Sequence, residues 1–232
     1  MAETRSWRDV TQGFRPLAVA AFESVFSPFR RARLHGPLIA GLPVVLEERC
    51  PVMLIANHAS WWDGFVLRDV QRALRPGGRL FTLMTTRELR RHPYLRWMGC
   101  VGMEPGRRAS VLAAFRRLRQ ERRRDSSAVF AFFPQGAIWP AGRRPLGFER
   151  GVSVLASLLA PVTLLPIGIH LEALNRAAPT AFVSLGRPVP HKRGRPDVRG
   201  IEAAVEAELD RIRHFLEAHG EAAPRLWAGA AR

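Results

Sequence analysis

Only two cysteines, Cys50 and Cys100, occur in 232 residues. Two cannot make a disulfide framework or a cysteine-rich metal cluster, so a reduced, cytosol-facing protein is expected. Lysine is almost missing too. Lys192 is the single one, and arginine carries nearly all of the 36 positive charges set against 20 Asp and Glu. Long apolar runs are scarce. The longest charge-free stretch, Gly151 to Leu171, has the length of a membrane span, but Pro161 and Pro166 interrupt it. A short helix followed by a buried strand is expected there, and no integral span. No secretory signal opens the chain, because Arg5, Arg8, Asp9 and Arg15 break any apolar core. Internal repeats and linkers rich in Gly, Ser or Pro are absent as well, which leaves nothing to divide the body of the chain.

What is present is an ordinary globular composition, 47% hydrophobic and 24% charged, which excludes disorder and collagen. The net charge of +16 and a pI near 11.7 imply attraction to polyanions. Those are nucleic acid or an anionic membrane surface, and composition alone does not choose between them.

Near the N-terminus, Trp7, Val10, Phe14, Leu17, Ala21, Val25 and Phe29 recur at helical spacing, flanked by Arg5, Arg8, Arg15, Arg30, Arg31 and Arg33. The pattern predicts an amphipathic helix over 7–29, interrupted at Pro16. It reads either as an interfacial helix on anionic lipid or as a helix packed on its own domain. Beyond it, strands are expected at Val44–Leu46, Val52–Ala56, Leu80–Met84, Ala128–Phe133, Val162–Ile169 and Ala181–Leu185. Helices are expected at Trp61–Leu74, Ser110–Arg123, Val152–Leu159 and Ile201–Leu216. The alternation predicts an α/β fold, a single mixed sheet covered by helices, with the amphipathic helix in front.

The informative segment is Val52–Ala56 followed by Asn57-His58-Ala59-Ser60-Trp61-Trp62-Asp63. A buried strand runs into a polar turn that opens a helix, and Ser60 with Asp63 has capping-box form. On a continuous helix, five residues would rotate His58 and Asp63 apart. Across a strand–turn–helix corner the carboxylate folds back onto the imidazole, fixes its tautomer and leaves the other nitrogen as a base. A second corner follows at Phe132-Phe133-Pro134-Gln135-Gly136, where Gly136 lets backbone amides approach a ligand. Farther on come Phe148-Glu149-Arg150-Gly151 and Leu165-Pro166-Ile167.

In this order the segments resemble the glycerolipid acyltransferase family, the PlsC-like lysophospholipid acyltransferases, over roughly residues 35–190. The resemblance implies acyl transfer from acyl-CoA or acyl carrier protein to a lipid hydroxyl, with His58 as general base and Asp63 orienting it. It implies no resident cofactor and no metal. It divides the chain into a membrane-interface helix (1–34) and an acyltransferase domain (35–232), peripheral on the cytoplasmic side of the membrane. Asn57, Ser60, Pro134, Gln135 and Gly136 are then expected beside the substrate.

Two departures stand out. In the family an Arg follows the second block, where Gly99–Met103, Glu104 and Pro105 stand here. The third block usually reads Phe-Pro-Glu-Gly-Thr-Arg, and Gln135 and Ile138 replace its acid and its Arg. Those arginines are associated with the acceptor's phosphate, which neither Pro nor Ile can bind. Either Arg107, Arg143 or Arg144 supplies the charge from a shifted position, or the acceptor is a lipid without phosphate, such as a glycolipid. Three readings compete with the enzyme. Ser60 as a hydrolase nucleophile lacks a Gly-x-Ser-x-Gly elbow. A nucleic-acid binder would rest on the Arg116–Arg124 run, which has no interleaved aromatics. A non-catalytic membrane adaptor would have no need of His58 and Asp63.

Overall fold

In the computed structural model, residues 14–227 are described. Five strands run parallel: β2 (Val52–Ala56), β3 (Leu80–Thr85), β4 (Cys100–Met103), β5 (Val129–Phe132) and β6 (Val162–Glu172). β7 (Thr180–Leu185) is antiparallel to β6, and β1 (His35–Ala40) is parallel to β7. The order is β1-β7-β6-β2-β5-β3-β4, and β8 (Val189–His191) pairs with the first residues of β6. The result is the α/β architecture with a single mixed sheet that the alternating pattern predicts.

The central strands explain themselves. Every residue of β2 is buried, because both faces of a parallel sheet are covered and the strand reads as one apolar run. The pleat then divides it. Met53 and Ile55 face a layer built by α4 (Arg108–Arg124), α5 (Gly151–Leu159) and α6 (Val198–His219), through Phe115, Leu118, Val152, Leu155, Val205 and Leu209. Val52, Leu54 and Ala56 face α2 (Asp63–Leu74), through Val66, Leu67 and Val70. Each such Leu or Ile contributes about 2 kcal/mol by leaving water.

Three strand assignments change. Val44–Leu46 is loop, with Val45 92% exposed, because no neighbouring strand edge is there to pair with it. The first strand is instead β1, a Gly-Pro-containing segment with no alternation to announce it. β8 and β4 are likewise too short to carry a period.

The N-terminal helix, α1, spans Pro16–Arg33; Trp7 and Val10 lie outside the described residues. Pro16 starts the helix rather than interrupting it, at the first-turn position where its missing N–H costs nothing. α1 packs on α2 through Phe22 and Phe26, which stack on Phe65, and through charge pairs beside them. The Arg68 guanidinium donates to Glu23 at 3.0 Å, Arg72 also meets Glu23, and Arg30 pairs with Asp69 at 2.8 Å. Leu17, Ala21 and Val25, spaced by four, point outward, with Leu17 86% and Val25 79% exposed, and Phe29 continues the row half-exposed at the edge of Trp62. This exposed apolar row is additional to the one that packs on the body. Topology sets where α1 sits. β1 runs antiparallel to β2, so it starts at the edge where β2 ends, and α1 is delivered to that edge. No helix among the described residues is long and apolar enough to cross a membrane.

Candidate active site

β2 and β5 are neighbours in register, Ile55 beside Phe132, so the turns after them leave the sheet in step. Crevices beyond the carboxyl ends of parallel strands are where α/β folds place ligands. In the first turn, Asp63 Oδ2 lies 2.9 Å from His58 Nδ1 and also accepts the N–H groups of Ala59 at 2.7 Å and Ser60 at 2.8 Å. A carboxylate only accepts, so Nδ1 carries the proton and Nε2 is left as the basic nitrogen. The carboxylate is buried, with 1% of its side chain exposed, and the imidazole keeps 22%. One oxygen thus organises both the turn and the imidazole, while Asp63 Oδ1 is buried without a partner.

Ser60 Oγ accepts from Trp62 N–H at 3.1 Å. The reciprocal Ser–Asp capping exists, but helix α2 begins only at Asp63. With its oxygen committed to the backbone, Ser60 holds the turn and is not set up as a nucleophile. Asn57 also departs from expectation. Its amide donates to Ile169 O at 2.9 Å and accepts Ile169 N–H at 2.8 Å. Both ends are used and the residue is buried, so it clamps the end of β2 to β6.

The second turn supports the first. The Phe133 ring stacks on His58 at 4.3 Å, and Trp139 N–H donates to His58 O at 2.9 Å. Pro134 is buried, and its carbonyl accepts Glu149 N–H at 2.9 Å. Gly136 has φ +68°, and a Cβ there would meet Glu149 Oε1 at 2.9 Å; only glycine takes this corner without strain. Gln135 is buried, and its Oε1 accepts His58 N–H at 2.6 Å.

The three candidate arginines separate. Arg107 precedes α4 and pairs with Glu104 at 3.0 Å. Its strand, β4, lies three positions from β2, about 14 Å at the usual strand spacing. Arg144 donates to the carbonyls of Ala141 and Arg143 and lies 3.8 Å from Asp210. Arg143 stacks over Trp139, 3.6 Å from the ring centre, and meets no carboxylate among the described residues. Its guanidinium therefore lies between the Trp139 ring and Gly147, on the segment whose Trp139 N–H bonds the His58 carbonyl.

Phe133 and Trp139 are the site residues that sequence reasoning does not single out as such. Phe133 is visible only as part of a motif. Trp139 is reached through a backbone bond that no spacing rule encodes.

A buried carboxylate thus grips a partly exposed imidazole at the carboxyl ends of the parallel strands of an α/β sheet. A family model described as Acyltransferase matches residues 43–170, more than half the chain, and the chain belongs to that family. Its fold is similar to the crystal structure of the 1-acyl-sn-glycerophosphate (LPA) acyltransferase PlsC from Thermotoga maritima. The TM-score is 0.54 at 19% identity, covering 86% of this chain and 79% of that one. No curated protein matches the sequence.

Proposed function

We propose that this chain is an O-acyltransferase that moves a fatty acyl group from acyl-CoA or acyl carrier protein to a lipid hydroxyl, with His58 as general base. The observation that carries the reading is the 2.9 Å contact between His58 Nδ1 and buried Asp63 Oδ2 beside a partly exposed imidazole. In this scheme His58 Nε2 takes the acceptor's hydroxyl proton as the oxygen attacks the thioester carbonyl. Asp63 stabilises the imidazolium. When the tetrahedral intermediate collapses, the C–S bond breaks and the proton passes from His58 to the leaving sulfur, giving an ester and a thiol. The Ala137 and Ile138 N–H groups make no hydrogen bond within the described residues and are candidates to meet the oxyanion. Donor and acceptor are co-substrates, and no resident cofactor is invoked.

For the acceptor, Arg143 favours an anionic group near the hydroxyl, as in a lysophosphatidate-like lipid. The similar Thermotoga protein is named for that acceptor. A non-phosphate glycolipid remains the second acceptor class, because Ile138 and Gln135 replace charged residues. The outward apolar row of α1 supports a peripheral site on an anionic membrane surface, on the cytoplasmic side. The nucleic-acid reading is disfavoured because the Arg116–Arg124 run has no interleaved aromatics and several of its side chains are held within the protein. Arg117 and Arg124 pair with Glu121, and Arg122 donates to Leu159 O and Pro161 O. Transfer of a radiolabelled acyl group from acyl-CoA to a panel of lipid hydroxyls, with His58→Ala run alongside, tests the assignment. Transfer undiminished in His58→Ala removes the base, and no transfer to any hydroxyl favours the adaptor reading.

A further inference from the structure

Gln135 is buried, 6% exposed, and both ends of its amide are used. Oε1 accepts the His58 N–H at 2.6 Å, and Nε2 donates to Leu146 O at 3.3 Å. The side chain therefore ties the turn that carries the base to the loop around Leu146. That loop is fixed from the other side, where Glu206 accepts Leu146 N–H at 3.0 Å and Glu202 accepts the N–H groups of Gly147 and Phe148. Both ends of the buried amide are thus engaged by the protein's own backbone.

We propose that Gln135 is a positioning residue for His58, and that its neutrality sets the pH range over which the base works. The inference rests on the acyltransferase reading above. A carboxylate at the same place would still accept the His58 N–H. Its second oxygen would face the Leu146 carbonyl, two acceptors with no proton between them in a buried spot. It would also add negative charge at the backbone N–H of His58, the residue whose imidazole already faces Asp63. The other charges near this corner are Glu149 beside Gly136, Arg143 over Trp139, and Glu202 and Glu206 on α6. Only an uncharged residue that donates and accepts satisfies both contacts without another carboxylate against the base.

Two variants test this, each followed through the pH dependence of kcat and kcat/KM for acyl transfer. Gln135→Met removes both hydrogen bonds without adding charge. It is expected to lower kcat about tenfold, with the acceptor KM within about twofold of the parent and the acid limb of kcat/KM unmoved. Gln135→Glu is expected to move that limb to higher pH by about one unit, because a nearby carboxylate favours the imidazolium. The thermal stability of this second variant is expected to be highest at acidic pH, where the introduced carboxyl is protonated and donates to Leu146 O as the amide does. That stability falls as the pH rises through the carboxyl's folded-state pKa, which such a contact holds above the ordinary carboxylate value. This melting readout stands even if Gln135→Met folds poorly.

A raised acceptor KM with intact kcat in Gln135→Met would make Gln135 a substrate contact and overturn the proposal. An unmoved acid limb in Gln135→Glu would overturn it too. His58→Ala separates the two levels. If it stays active, the base assignment itself falls; if it is inactive while both Gln135 variants behave as the parent, only the positioning role falls.

Discussion

Replacing Asp63 by Asn tests the site most sharply, because one oxygen takes all three hydrogen bonds. An asparagine carbonyl oxygen in the place of Oδ2 can still accept from His58 Nδ1, Ala59 N–H and Ser60 N–H. Turning the amide over would aim its NH2 at two backbone donors, so the imidazole tautomer is kept. What is lost is charge. At 2.9 Å and an effective dielectric near 20, a carboxylate and an imidazolium attract by about 6 kcal/mol. The partial exposure of His58 and the remaining amide dipole cut the difference to about 3 kcal/mol, or about 150-fold in kcat. Steady-state acyl transfer should show that loss with the acceptor KM nearly unchanged. A second effect is on folding. The new NH2 occupies the place of Oδ1, which is buried without a partner, and an unsatisfied donor there costs about 1–3 kcal/mol, several degrees in Tm. A kcat within threefold of the parent would refute the carboxylate's role. A loss beyond about 10⁴-fold would refute the retained tautomer.

Four further outcomes are expected. Gly136→Ala should lower stability by about 1–2 kcal/mol, since φ is +68°; adding Glu149→Ala relieves the steric contact but not the backbone strain, and denaturant unfolding of the pair separates them. Val25→Asp, at an exposed point on α1, should weaken flotation with vesicles containing anionic phospholipid while leaving Tm unchanged. Leu54→Ala, in the fully buried β2, should cost about 3–5 kcal/mol in urea unfolding. Burial pushes the Cys100 thiol up to about 12, so in the native protein at pH 8 iodoacetamide should leave it unmodified, and mass spectrometry reads the site.

The parts of the fold legible in the sequence are those with enough residues to carry a period. Val52–Ala56 declares itself by an unbroken apolar run, and Ile201–Leu216 by helical spacing inside the longer α6. β1 and β8 do not, because a strand of six residues containing Gly36-Pro37, or one of three, has no alternation to detect; pairing with β7 and β6 makes them strands. At the site, the His58–Asp63 contact is legible because both residues flank one corner and local geometry alone brings them together. The roles of Asn57 and Gln135 are not. Each is fixed by a partner far along the chain, Ile169 and His58, and their polarity looks the same whether it serves a ligand or the backbone.

The placement of α1 has a mechanical consequence. Its Phe26 and Phe29 rest against Trp61 and Trp62, only three and four residues beyond His58, while buried Val19 helps root the helix in the body of the protein. The segment packs on the turn that carries His58. Deleting it would strip the support from behind the base, and a force that tilts it against a bilayer would be felt at the imidazole.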